Sequence, residues 1–395
     1  MSRALQIGLV MQGGAGWMGG SEYIKNLAQA VTAAARKDGT AVALTLLTGH
    51  PLDERMRAEI GIEKIVQLPP RRRGLLSRWM STSSRAFASA VRAAQIDFLY
   101  PLTYDNEHNV GASFPLRGLE STRWAGWIPD FQHRHLPELF SETEIAKRDR
   151  GIAALAGDAA TIVFSSEASA ADYRRFCPDA KARAEVLRFC TAPVPEWIAG
   201  DPLAAQAAYH LPDRFFLISN QLWKHKNHLL VLDALALPAA RGVHPHVVCT
   251  GQPADFRDKN FVNVVLQRIH EHGLGGQVAM LGLVARATQI QLMRRSVAVV
   301  QPSLCEGWST VVEDARLLGK TVVLSDLEVH REQNPPGAQF FDRTSAESLA
   351  TAIADVWKKE SPGPDRTREA RATTAAHEAQ LRFGRRFLEI AARHA

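Results

Sequence analysis

The stretch Pro302-Ser303-Leu304-Cys305-Glu306-Gly307-Trp308-Ser309-Thr310-Val311-Val312-Glu313 decides how this chain is read. The apolar run 297–300 leads into it, and Asp314-Ala315-Arg316-Leu317-Leu318 continues it with helical character. The pattern predicts a strand, a tight loop and a helix. Gly307, Ser309 and Thr310 are small, so backbone N–H groups can approach a ligand at the positive end of that helix. Glu306 falls in the loop and Glu313 in the first helical turn. A carboxylate beside an anion site suits a sugar or ribose diol, because it accepts two hydrogen bonds at once. The competing reading is that Glu313 only complements the helix dipole.

A second segment repeats the arrangement with cations. The buried-strand run Phe215-Phe216-Leu217-Ile218-Ser219 is followed by Asn220-Gln221-Leu222-Trp223-Lys224-His225-Lys226-Asn227-His228 and then by a helical stretch, 229–235. Two lysines and two histidines therefore stand at a strand's carboxyl end, where a parallel sheet presents its loops to ligands. Lys226 is the best single phosphate candidate, since an ammonium is a compact charge suited to a leaving pyrophosphate. A ligand with both phosphates and hydroxyls would use both loops, and a nucleotide sugar is such a ligand.

These two elements resemble the donor-binding elements of retaining glycosyltransferase family 4 (glycosyl transferases group 1, GT-B fold), of the bacterial polysaccharide and glycoconjugate type. The resemblance extends over nearly the whole chain and includes Met11-Gln12-Gly13-Gly14 to Gly19-Gly20, Trp127-Ile128-Pro129-Asp130-Phe131-Gln132-His133 and Val163-Phe164-Ser165-Ser166-Glu167. It implies an α/β protein with two Rossmann-like, doubly wound parallel-sheet domains facing a cleft. The implied activity moves a hexose (mannose or a related sugar) from a nucleoside diphosphate sugar to a glycan or lipid-linked acceptor hydroxyl. Anomeric configuration is retained, and no metal or cofactor is required, the nucleotide sugar being a substrate. His133, Lys226 and Glu306 take the catalytic roles under this resemblance. Gly14, Gly19, Gly20, Gln221, Lys224, Leu283, Trp308, Ser309, Thr310, Val311 and Glu313 bind the donor. Two departures stand out. Six residues separate Glu306 from Glu313, where the family usually has seven, and Gln221 occupies a position commonly held by Arg. Lys224 is the candidate to replace that missing charge.

The chain's 395 residues exceed a single core and suggest two domains. Strand-like runs at 7–11, 41–47, 98–102, 161–164 and 186–189, and again at 215–218, 246–250, 278–281, 298–301 and 321–324, alternate with alanine-rich helical stretches. Helices are expected at 21–35 and 85–94, and His133 is expected on a loop after the strand-like 124–128. Such alternation means parallel sheets with right-handed crossovers. The Pro-containing segment 191–212 marks the linker, giving an N-terminal acceptor domain 1–195 and a donor domain 196–365. The break Ser361-Pro362-Gly363-Pro364 isolates a last helix, 366–395, expected to return toward the N-terminal domain.

A 46% apolar and 22% charged composition is that of a globular protein, and a net charge of +6 fits anionic ligands or surfaces. Four cysteines without paired spacing argue against zinc and for reduced thiols. With no apolar run near the length of a membrane span, the protein is read as cytoplasmic or peripheral on the inner membrane face. Arg71-Arg72-Arg73-Gly74-Leu75-Leu76-Ser77-Arg78-Trp79-Met80 reads as a contact for an anionic membrane or for a pyrophosphate-linked acceptor, or as a solvated loop and helix start. Nucleic acid is a poorer reading, since no recognised motif accompanies it. Gly14-Ala15-Gly16-Trp17-Met18-Gly19 matches GxGxxG, but the second strand-like run ends in Thr48-Gly49-His50 rather than a ribose-binding acid, which disfavours a dehydrogenase. No two aspartates lie two positions apart, so a metal-binding DxD is absent. A nucleotide-sugar epimerase and a non-catalytic nucleotide-sugar binder are the alternative functions.

Overall fold

The structure is a computed structural model describing residues 3–14, 17–52, 54–68, 82–105, 114, 116–237, 242–255 and 257–393. The basic stretch 71–80 lies outside the described residues. The chain divides into two compact units. One comprises Met1–Phe131, Ser141–Ala192 and Glu378–Ala395, and the other Gln132–Phe140 and Pro193–His377.

The first unit holds a seven-stranded parallel sheet of β1 (Leu5–Val10), β2 (Val42–Thr48), β3 (Lys64–Gln67), β4 (Phe98–Leu102), β5 (Arg123–Trp127), β6 (Thr161–Phe164) and β7 (Arg183–Val186). Their order is β3-β2-β1-β4-β5-β6-β7. The inner strands β4 and β6 are buried throughout, which is why they read as unbroken apolar runs. Helix Met18–Asp38 covers this sheet with Tyr23, Leu27, Ala30, Val31 and Ala34, and it stops at Gly39 in the left-handed region. The strand expected at 186–189 is found earlier, at Arg183–Val186. It is an edge strand, so its first residues alternate charged and apolar and carry no continuous apolar signal.

The second unit holds a six-stranded parallel sheet of β8 (Phe216–Ser219), β9 (Val247–Thr250), β10 (Val278–Gly282), β11 (Val299–Gln301), β12 (Val322–Ser325) and β13 (Gln339–Phe341). The order is β10-β9-β8-β11-β12-β13. Successive residues feed opposite faces. Phe216, Ile218, Val300 and Val323 enter one core, while Phe215, Leu217, Val299 and Val322 enter the other.

In each sheet the strand order reverses direction once, between β1 and β4 and between β8 and β11. Such a switch point opens a crevice at the strand carboxyl ends. The last helix, Arg366–Arg393, starts in the second unit and ends in the first. Within the first unit, Phe383 and Phe387 are buried, Gly384 lies against the Ala30 carbonyl where a Cβ would collide, and Arg385 grips Asp38 at 2.6 and 2.7 Å. No helix among the described residues is long and apolar enough to cross a membrane.

Candidate functional site

The switch point of the second sheet brings the two loops singled out in the sequence together. The lysine loop leaves β8 and the glutamate loop leaves β11, and these strands are neighbours. Asn220 Nδ2 donates to Gln301 Oε1 at 3.0 Å, and the Leu304 N–H donates to the His225 carbonyl at 2.8 Å. Gly251, at φ 123°, lets β9's end pass the Asn220–Gln221 backbone, which a Cβ would strike. Lys226 closes a short 3-10 turn, Lys224–Lys226. Asn227 then adopts the left-handed conformation (φ 57°), pins its amide to the Arg343 carbonyl and starts helix His228–Ala236.

Lys226 Nζ lies 2.6 Å from Glu306 Oε1, with side chains only 14% and 10% exposed. The same oxygen accepts from Gln301 Nε2 at 2.8 Å and Ser303 Oγ at 2.7 Å, and Oε2 has no hydrogen-bond partner among the described residues. Burial pushes the Glu306 carboxyl up. The Lys226 ammonium and the hydrogen bonds from Lys226 and Ser303 outweigh it and hold the group below its ordinary value. The ammonium has two further N–H donors. The N–H groups of Thr310 and Val311, at the start of helix Thr310–Leu317, take no partner among the described residues.

Glu313 sits one turn into that helix and is 4% exposed. Its Oε1 accepts from Gln333 Nε2 at 3.0 Å, and its Oε2 pairs with Arg316 Nε at 3.2 Å. Burial raises its pKa, and Arg316 and Gln333 offset this only in part. Ser309 is the helix N-cap, its hydroxyl accepting from the Val312 N–H.

Residues 205–376 match the family model of glycosyl transferases group 1. Among solved structures, HepE from Anabaena in complex with UDP and glucose aligns over 98% of this chain and 99% of its own, with 21% identity and a TM-score of 0.68. A glycosyltransferase from Rickettsia africae ESF-5 aligns over 100% and 99%, with 13% identity and a TM-score of 0.66. Sucrose-phosphate synthase from Thermosynechococcus elongatus aligns over 96% and 94%, with 16% identity and a TM-score of 0.65. The fold is GT-B. No curated protein matches the chain by sequence.

The remaining expected residues fall in different places. Gln221 stands on the lysine loop, and its side chain makes no hydrogen bond among the described residues. Lys224 turns its ammonium to Asp258, 2.6 Å away, while its N–H is held by Asp255 at 2.9 Å. Trp308 lies on the glutamate loop, half-buried. Leu283 follows β10 and is 62% exposed. His133, expected on a loop, lies in the short helix Gln132–His135. It is buried and edge-on to Phe140 at 6.4 Å. Gln132 in the same helix accepts from Arg257 Nη1 at 2.8 Å, and Arg257 also covers the Phe140 ring.

Gly14, Gly19 and Gly20 belong to the first unit, Gly14 after β1 and Gly19 and Gly20 in the first turn of helix Met18–Asp38. There they accommodate Trp17. Gly14 bridges Trp17 through paired backbone hydrogen bonds, and a Cβ on Gly20 would come within 3.0 Å of the indole. Trp17 stacks on Trp127, which stacks on Tyr23, with ring centroids 5.9 and 4.5 Å apart.

Sequence reasoning missed the second layer: Gln301, Ser303, His330 and Gln333. His330 is wholly buried, and its Nδ1–H goes to the Ser325 carbonyl at 3.0 Å, leaving Nε2 as an acceptor without a partner among the described residues. Burial pushes its pKa down to about 4. His228 is likewise buried, neither ring nitrogen is hydrogen-bonded among the described residues, and burial lowers its pKa to about 4. Among the described residues, no three His, Cys, Asp or Glu side chains group as a metal site.

Proposed function

We propose that this chain is a retaining glycosyltransferase of family 4. It transfers a hexose, mannose or a related sugar, from a nucleoside diphosphate sugar to a hydroxyl of a glycan or lipid-linked acceptor. The observation that carries the reading is the Lys226–Glu306 pair at the β8/β11 switch point, with one carboxylate oxygen open beside a cation and unpaired helix N–H groups. The group 1 match over 205–376 and the UDP bound in the HepE structure support it.

In the reaction the bond from the anomeric carbon to the β-phosphate oxygen breaks. The acceptor oxygen bonds that carbon on the same face, and the acceptor proton passes to the departing diphosphate. Lys226 and the N–H groups of Thr310 and Val311 stabilise the charge that grows on the leaving phosphate. Glu306 Oε2 receives a donor-sugar hydroxyl and faces the positive charge that develops on the sugar ring. Glu313 receives the ribose diol, and the Leu283 backbone and Trp308 border the nucleotide. His133 contacts the sugar or lines the acceptor site. A screen of UDP-, GDP- and ADP-hexoses with purified protein, read as nucleoside diphosphate release, tests the proposal. No release and no binding across the panel would overturn it.

A further inference from the structure

We propose that Gln333 is a positioning residue for nucleotide recognition, its carboxamide locking the Glu313 carboxylate to the N-cap of helix Thr310–Leu317 so that both present one rigid ribose-reading edge. The inference rests on the ribose role given to Glu313 above. Gln333 is the last residue of helix Glu328–Gln333, where Asn334 in the left-handed conformation turns the chain away. Its amide is 3% exposed and makes three hydrogen bonds. Oε1 accepts the Ser309 N–H at 3.1 Å, while Nε2 donates to the Ser309 carbonyl at 3.1 Å and to Glu313 Oε1 at 3.0 Å. Both amide protons are thus used, one on the cap backbone and one on the carboxylate. Arg316 joins the same unit from below, donating to the Gln333 carbonyl and pairing with Glu313 Oε2.

Only a primary amide of this length fits. It must accept from one backbone group, donate to another, and keep a second proton for a carboxylate. An ionised Glu at 333 would donate nothing and would face Glu313 with like charge, and a Met would leave the buried Ser309 N–H unpaired. Each Glu313 oxygen holds one protein donor and keeps acceptor capacity for one more. That arrangement fits two adjacent ribose hydroxyls, with the carboxylate's rotation already fixed before the ligand arrives.

The test compares a nucleoside diphosphate with its 2′-deoxy counterpart (UDP with dUDP, GDP with dGDP, ADP with dADP), by calorimetry on the full chain. Wild type is expected to favour the ribose form about tenfold or more, the size of a hydrogen bond to a charged group. Glu313→Ala should remove that preference, and Gln333→Met should shrink it several-fold while the deoxy form binds as in wild type. In the Glu313→Ala background, Gln333→Met should change the ratio no further, because both act through one carboxylate. Gln333→Glu keeps the side chain's shape and should show the same loss, which serves if the Met variant does not fold. A folded Gln333 variant with the wild-type ratio overturns the inference and leaves the glycosyltransferase reading standing. Failure of wild type to bind any of these diphosphates overturns both.

Discussion

Replacing Lys226 by alanine separates its structural part from its chemical one. The ammonium lies 2.6 Å from a carboxylate oxygen in a largely buried setting. At an effective dielectric of about 20 the gross attraction is roughly 6 kcal/mol. Desolvation of both groups offsets much of it, and stripping one partner from a buried pair typically costs about 3–5 kcal/mol. Gln301 and Ser303 still hold Glu306 Oε1 after the substitution, so a value near the low end, about 3 kcal/mol, is expected. For a unit of this size that is roughly 10 °C in Tm. Turnover should fall by about 10²-fold or more, the loss seen when one stabiliser of developing charge is removed.

The pH dependence has a definite sign. Glu306 is held below its ordinary value, so its contribution is present above the unfolded pKa and fades as pH falls through the folded one. The Tm gap between wild type and Lys226→Ala should therefore narrow in acid. Adding Glu306→Gln to Lys226→Ala removes the stranded charge and should restore most of the Tm, with turnover still low. Nucleoside diphosphate release at saturating donor, beside thermal unfolding, reads both effects. If the double variant regains turnover along with stability, Lys226 is a structural partner of Glu306 and has no part in the chemistry.

Burial raises Glu313, so its ionisation costs stability as pH rises through its folded value. The Tm of Glu313→Gln relative to wild type should accordingly improve as pH rises out of the ordinary glutamate range, and a constant difference would refute this. Transfer should survive chelation, because helix N–H groups and a lysine can carry phosphate charge; full loss in EDTA with rescue by magnesium or manganese would show otherwise. Gly20→Ala should displace the Trp17 indole from its stack on Trp127, changing near-UV circular dichroism and tryptophan emission, whereas unchanged spectra would mean the turn relaxes elsewhere. The stretch 71–80 is proposed to meet anionic membrane, each arginine adding about 1 kcal/mol; equal flotation of wild type and a variant with Arg71, Arg72, Arg73 and Arg78 changed to Ser, on acidic and neutral liposomes, would favour a soluble acceptor.

What was legible in the sequence follows from how each element is stabilised. Inner strands such as β8 and β11 are buried throughout, so their apolar runs stand out locally, and the loops at their carboxyl ends could be assigned as a pair. Edge strands gave weaker signals: β3 has exposed Lys64 and Gln67 at its ends, and β7 opens with the exposed Arg183. The site divides in the same way. Lys226 and Glu306 stood out because each carries charge in a loop at a strand's carboxyl end. Gln333 and His330 were not, because a neutral residue on a short helix looks like any other until the fold turns it inward. Their significance lies in distances over which sequence separation carries no signal, 24 residues in the case of Gln333 and Ser309. The glycines after β1 show the converse. Their spacing suggests phosphate approach, yet the nearest atoms to a Cβ on Gly20 are the Gly13 nitrogen and the Trp17 ring. A glycine reports only that something comes close. What comes close is decided by the rest of the chain, here an indole stacked on Trp127, which stacks in turn on Tyr23.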